Sequence, residues 1–473
     1  MSEATAVRRL AEFAVRCRDE GLPAEVAADV TGRVLDVVGN CLAARAEETG
    51  RGPVAAVSRA VEAWAGTAQA GVLGAAGRLP APSAALVNGT LAHALDFDDT
   101  HLPSVLHPSA SVVPAALAAA EETGAGGAAL AAAVAAGIEV CDRLGMASYL
   151  PEIRNSAFFE RGQHATSICG TLGAAASAAL LYGLDAGGVA SAVGIAASMG
   201  AGVIEANRTG GTVKRVHCGW AAHAGVTAAT LARFGVTGPP TVLEGRFGFF
   251  QAWLDGRYDA GALLDGLGER WETVRTVYKP YPSNHFTHPA IDCALALREN
   301  GLDPADIAGI ELGMPAPTLR TVAEPRPEKT RPRTPYHAKF SGPFTVATAL
   351  LGGGGLGVYL DDFTDETLED PARLALAAKV ACAADERASE IFPTAFAAVL
   401  RVRTRGGAVL EHRVDSSRGG PGRPLSREEL LLKFRLNAAR ALPEVRASEL
   451  ARTVDALTSL PEVSALPTLT GTP

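Results

Sequence analysis

Through the first 270 residues no stretch alternates apolar and polar side chains with period two. Apolar positions instead recur at helical spacing, as at Val7, Leu10, Phe13 and Ala14, and again at Val30, Val34, Val37 and Val38. Helices are expected near 3–17, 24–45, 53–66, 83–95, 110–122, 127–148 and 170–181, with another from 217 to Phe234. Many of these segments are dominated by alanine, whose single methyl lets helix backbones approach closely. A mainly α protein with a close-packed helical body follows.

After Trp271 the texture changes. Lys279-Pro-Tyr-Pro-Ser-Asn-His-Phe-Thr-His-Pro289 is extended and punctuated by proline. Residues 307–313 read as a strand, 341–351 and 371–384 as helices, and 397–404 with 408–415 as a hairpin turning at Arg405-Gly-Gly407. Ser426 and Glu429 form a capping box. The expected division is a helical domain over 1–273, an α+β lid over 274–416, and a helical return over 417–473.

A chain of 473 residues with 48% hydrophobic and 20% charged residues is globular, and too long for one core. Its net charge of −8 argues against nucleic acid as a partner, since phosphate binding needs a basic surface. Seven scattered cysteines without a Cys-x-x-Cys pair read as reduced thiols in a cytoplasmic protein and offer no zinc or iron–sulfur spacing. The N-terminus lacks the apolar run of a signal peptide. Residues 186–204 are uncharged but built from Ala, Gly and Ser, and read as buried helix rather than a membrane span.

Polar residues gather in islands. His93 to Ser109 holds Asp96, Asp98, Asp99, His93, His101 and His107, directly after an apolar helix. Acids and imidazoles against an alanine-rich core are costly unless paired or used in chemistry. Pro108 presents His107 from a rigid turn. A second island has Arg154, Glu160, Arg161, Gln163 and His164 ahead of a small-residue helix. A third, Glu205 to His217, holds Arg208, Lys214, Arg215 and His217 in a glycine-rich turn that lacks the phosphate-loop order. Nine of the ten histidines lie between 93 and 337, so one shared cleft between helical body and lid is expected. There His107, His217 or His285 would act as base, and Lys214, Arg215, Lys279 and His164 would supply positive field. Metal ligation is not expected: no His-Glu-x-x-His is present, and Asp96 and Asp98 fall on opposite faces of an extended chain.

Asp96-Phe-Asp-Asp-Thr100 followed by His107-Pro-Ser109 resembles the signature of the MmgE/PrpD family. Ala85-Leu-Val-Asn-Gly-Thr90, Gln163-His-Ala-Thr166, Lys214-Arg-Val-His-Cys-Gly219, Thr237-Gly-Pro239, Lys279-Pro-Tyr-Pro282 and Tyr336-His-Ala-Lys-Phe-Ser341 are similar to its other segments, in the same order. The resemblance implies a homodimer and cofactor-free chemistry on a small polycarboxylate. It implies functional positions at Asp96, Thr100, His107, His164, Lys214 and Lys279, with Asn284 and Tyr336 beside them. Asn284 stands where decarboxylase-like members carry histidine, and Phe344 where many members carry tyrosine. A dehydratase of the 2-methylcitrate type is therefore expected, with His107 moving a proton alpha to a carboxylate and Asp96 orienting an imidazole. The alternatives are an epimerase or a decarboxylase, and outside enzymes a catalytically silent scaffold.

Overall fold

The helix Ala81–Ala94 is buried on every side except at Pro82, as a helix of mostly small and apolar residues with no charged face must be. The computed structural model that contains it describes residues 4–471, apart from 48, 49, 51, 154 and 207–210. The chain divides into two units: Met1–Ala94 with Asp98–Thr276 and Phe434–Pro473, and Leu95–Phe97 with Val277–Lys433.

The first unit is helical. Its main helices are α1 (Ala6–Glu20), α2 (Ala24–Glu47), α3 (Pro53–Trp64), α4 (Ala81–Ala94), α5 (Ser109–Thr123), α6 (Gly127–Ala147), α7 (Ala165–Leu181), α8 (Ala186–Ala196) and α9 (His217–Arg233). Glycine lets α9 cross close to α4. A Cβ at Gly219 of α9 would lie 2.3 Å from the Leu86 carbonyl oxygen and 2.3 Å from Thr90 Oγ1, both on α4. The uncharged run from Ala186 is helical only to Ala196, where the chain leaves the helix through turns near Gly200 and Gly202. Among the described residues no helix is long and apolar enough to cross a membrane.

The second unit is α+β. It carries α10 (His288–Glu299), β1 (Ile307–Met314), α11 (Gly342–Leu351), α12 (Pro371–Ala378), β2 (Val380–Ala384), β3 (Ala398–Thr404) and β4 (Val409–Val414). The sheet order is β2-β1-β3-β4, parallel between β1 and β2 and antiparallel elsewhere. The helix expected over 371–384 stops at Ala378. Val380–Ala384 pairs instead with Ile310–Met314, because an edge in need of a partner outweighs alanine's helical preference.

The second unit also runs past the expected return at 417. Ser417 N donates to the Phe396 carbonyl at 3.2 Å, Arg418 N to Asp292 Oδ2 at 2.9 Å, and Tyr278 N to the Gly419 carbonyl at 3.1 Å. These bonds tie the segment to the chain just ahead of β3, to α10 and to Tyr278. The capping box opens α13 (Arg427–Ala438): Glu429 N donates to Ser426 Oγ at 3.2 Å, and Ser426 N to Glu429 Oε2 at 2.7 Å.

Candidate active site

In the first unit the imidazoles form a row. His93 lies at the last turn of α4, with ring centroids 5.4 Å from His107 and 6.0 Å from His164, and His164 is 5.0 Å from His217. The chain reaches these places through helix ends. His164 occupies the N-cap of α7, and His217 opens α9 after a tight turn, Val213–Val216, that carries Lys214 and Arg215.

Hydrogen-bond chemistry fixes several protons in this row. The Lys214 ammonium, which can only donate, lies 3.3 Å from His93 Nε2. His93 therefore accepts there, and its Nδ1–H donates to Asp98 Oδ2 at 2.8 Å. The result is a neutral imidazole bridging ammonium and carboxylate. His107 Nδ1 lies 2.5 Å from the Asp99 carbonyl oxygen, which can only accept, so Nδ1 carries the hydrogen and proton exchange falls to Nε2. Thr100 Oγ1 is 3.2 Å from the same Nδ1, and His107 N donates to Thr166 Oγ1 at 3.2 Å.

Asp99 is the hub that holds the loop. Its carboxylate accepts from Ser109 N and Oγ, at 3.3 and 2.5 Å, and from Arg33 Nη1 at 3.2 Å. Burial pushes its carboxyl up to about 6, while Arg33 and Ser109 pull the other way. Burial also holds His164 well below the usual imidazole range, helped by Lys214 and neighbouring rings, and takes His217 down to about 4. His101, the remaining histidine of the stretch, faces Ser104 Oγ at 2.7 Å and Glu272 Oε2 at 3.3 Å.

The second unit contributes a separate arrangement around Asp96. Lys279 Nζ meets Asp96 Oδ1 at 2.6 Å and donates to the Asp96 carbonyl at 3.1 Å, with both side chains buried. Lys339 Nζ donates to the Leu95 carbonyl at 2.8 Å and Lys433 Nζ to the Phe97 carbonyl at 2.9 Å. Asn284 spends its side-chain oxygen on Phe286 N, 3.1 Å away, capping a short turn. His285 packs edge-on against Phe396 and lies 3.3 Å from Ser417 Oγ. The Tyr336 ring packs on Phe340.

Thus Thr100, His107, His164, Lys214 and His217 fall together in the first unit, with Arg215 on the same turn, and Asp96 meets Lys279 in the second. Arg154 and Arg208 lie outside the described residues. Sequence reasoning passed over His93 as a site residue, together with its partner Asp98; it quoted Lys339 only within Tyr336–Ser341, with no role, and passed over Arg33 and Lys433 altogether. A lone arginine between Val30 and Val34, and a lysine after Leu430-Leu-Leu432, were the available signals: a charge within an apolar run must find partners. One described set, His93, Asp98 and Cys218, has ligand atoms all within 4.8 Å of one another. The Lys214 ammonium beside His93 and a thiol pushed well above its ordinary range by burial make it a poor cation site.

Comparison with known proteins bears on both units. The chain is 32% identical over 406 residues to the human cis-aconitate decarboxylase, covering 83% of this chain and 80% of that protein. It is 30% identical over 400 residues to the mouse cis-aconitate decarboxylase, covering 82% and 78%. To the cis-aconitate decarboxylase of Aspergillus terreus it is 27% identical over 416 residues, covering 84% and 82%. Residues 8–260 match the MmgE/PrpD N-terminal domain and 281–459 the C-terminal domain, and on that span the chain belongs to the MmgE/PrpD family.

Proposed function

We propose that this chain is a lyase that removes a carboxylate from a small unsaturated tricarboxylate of the cis-aconitate kind. The observation that carries the reading is His107, held with its Nδ1 hydrogen on the Asp99 carbonyl in a row of imidazoles whose next member, His93, has Lys214 beside it. The three relatives' activity supports decarboxylation over the dehydration expected from Asn284 and Phe344.

In such a substrate one carboxylate sits on a methylene beside the double bond. As the bond to it breaks, CO2 leaves and the electron pair forms a new double bond one position along. The pair of the old double bond takes up a proton at its far carbon, alpha to another carboxylate. His107 delivers that proton from Nε2 while keeping Nδ1–H on Asp99. Lys214 holds a spectator carboxylate and stabilises the enolate-like charge, with Thr100, His164 and His217 beside it. The family resemblance also marks Asp96 and Lys279, which meet within the second unit, as functional positions.

A hydro-lyase is the second reading, resting on the sequence departures from decarboxylase-like members at Asn284 and Phe344. The test is to offer cis-aconitate and 2-methylcitrate in D2O and follow both by NMR. Decarboxylation yields CO2 and a five-carbon diacid with one deuterium alpha to a carboxylate. Loss or gain of water without CO2 would move the assignment to a hydro-lyase.

A further inference from the structure

Three consecutive carbonyl groups in the second unit each accept from a different buried lysine. Leu95 takes Lys339, Asp96 takes Lys279, and Phe97 takes Lys433. The three side chains come from positions far apart in the chain, and Lys433 Nζ also sits 3.9 Å from the centroid of the Phe97 ring. Asp96 itself has φ +55°, a left-handed conformation rare for residues other than glycine. The other described non-glycine residues in this region, Ala65, Val105 and Asp255, are not buried, whereas Asp96 is.

A conformation of that kind persists where its surroundings over-determine it, and such positions collect at functional sites. Burying an ammonium group is also unfavourable, and a neutral donor would satisfy a carbonyl equally well. Long, charged donors on both sides of Asp96 therefore suit a task stricter than filling hydrogen bonds. We infer that Lys339 and Lys433 are positioning residues: they pin the backbone on either side of Asp96, so that its carboxylate is presented to Lys279. This rests on the reading that Asp96 and Lys279 belong to the catalytic machinery.

The test combines kinetics on the unsaturated tricarboxylate with hydrogen exchange. Lys433→Met and Lys339→Met are expected to lower kcat about 10- to 100-fold with KM changed less than about threefold, and the Arg variants to recover most of the loss. Amide exchange over residues 95–98 should quicken in the Met variants while the sheet stays protected. Adding Lys433→Met to Asp96→Asn should cost little more than Asp96→Asn alone, since both act through one group. Should a Met variant not fold, Lys433→Gln and Lys339→Gln, which can still donate but from a shorter side chain, should lose kcat in the same direction and less steeply, and wild-type kinetics in both would overturn the inference. Wild-type kinetics with unchanged exchange in a folded Lys433→Met, beside a crippled Asp96→Asn, would overturn this inference alone. Wild-type kinetics in Asp96→Asn would instead remove Asp96 from the mechanism.

Discussion

His164 and His217 face each other Nδ1 to Nδ1 at 3.0 Å. One ring must donate and the other accept, so the pair shares a single proton on that edge and cannot be doubly charged without breaking the contact. The depressed values of both rings follow: burial and the Lys214 charge oppose a further proton.

The sign of the resulting pH dependence is fixed. His217 is lowered from 6.5 to about 4, so between those values the unfolded chain holds a proton that the folded chain does not. Folding stability contributed by this group falls as pH drops through that window, by at most about 1.4 kcal/mol per pH unit. Buried carboxyls such as Asp99, raised to about 6, act in the opposite sense and mask the effect in the wild type. The difference isolates it: wild type should lose stability relative to His217→Asn between pH 6.5 and 4 in urea titrations, and parallel curves would refute the assignment.

His107→Asn should lower kcat by roughly 10²–10⁴-fold, the usual contribution of a positioned acid–base group. Lys214→Ala should raise KM as well, because it leaves a substrate carboxylate unpaired. Near-normal turnover in His107→Asn would transfer proton exchange to another ring of the row.

Gly219→Ala sets two effects against each other. Alanine gains about 1 kcal/mol in helix propensity. The new methyl, however, would sit 2.3 Å from the Leu86 carbonyl, which belongs to the α4 backbone and cannot swing aside. Overpacking of about 1–3 kcal/mol or more should win. A lower melting temperature, and weaker activity through displacement of Lys214 from His93 and of His217 from His164, are the expected outcomes.

A ligand with several carboxylates should raise the melting temperature where acetate does not. At about a hundred times its Kd it stabilises by roughly 2.7 kcal/mol, about 2–3 °C for a chain of this length. Equal shifts from mono- and tricarboxylates at matched ionic strength would mean that the buried cations serve only their internal partners, such as Asp96 and His93.

Treatment with a strong chelator should leave turnover unchanged, since Lys214 lies against the one described set of grouped ligand atoms. Loss of rate restored only by a divalent metal would recast His93 and Asp98 as ligands.

The helical first unit could be read from spacing because burial of an alanine-rich face leaves a periodic trace. The β2 segment left none: Val380-Ala-Cys-Ala-Ala384 has the composition of the helix before it, and only its partner strand distinguishes it. Among site residues, His107 and Lys214 stood out through unusual neighbours in the sequence. His93 did not, because its role depends on Lys214, 121 residues away. The histidine beside Asn284 drew attention by type, and the structure sets the His285 ring edge-on against Phe396 and 3.3 Å from Ser417 Oγ, partners that come from more than 100 residues along the chain. Arg33 was hidden for the converse reason: its helix advertises only valines.

The Lys433–Phe97 contact spans 336 residues of chain. During synthesis the Leu95–Phe97 backbone is made early, but one of its three anchors is absent until most of the protein has left the ribosome. Contacts this distant in sequence also carry the largest loop-closure penalty and form late in refolding. The nascent chain should therefore acquire its helical packing well before Asp96 is fully fastened, and a chain released before residue 433 would lack that anchor altogether.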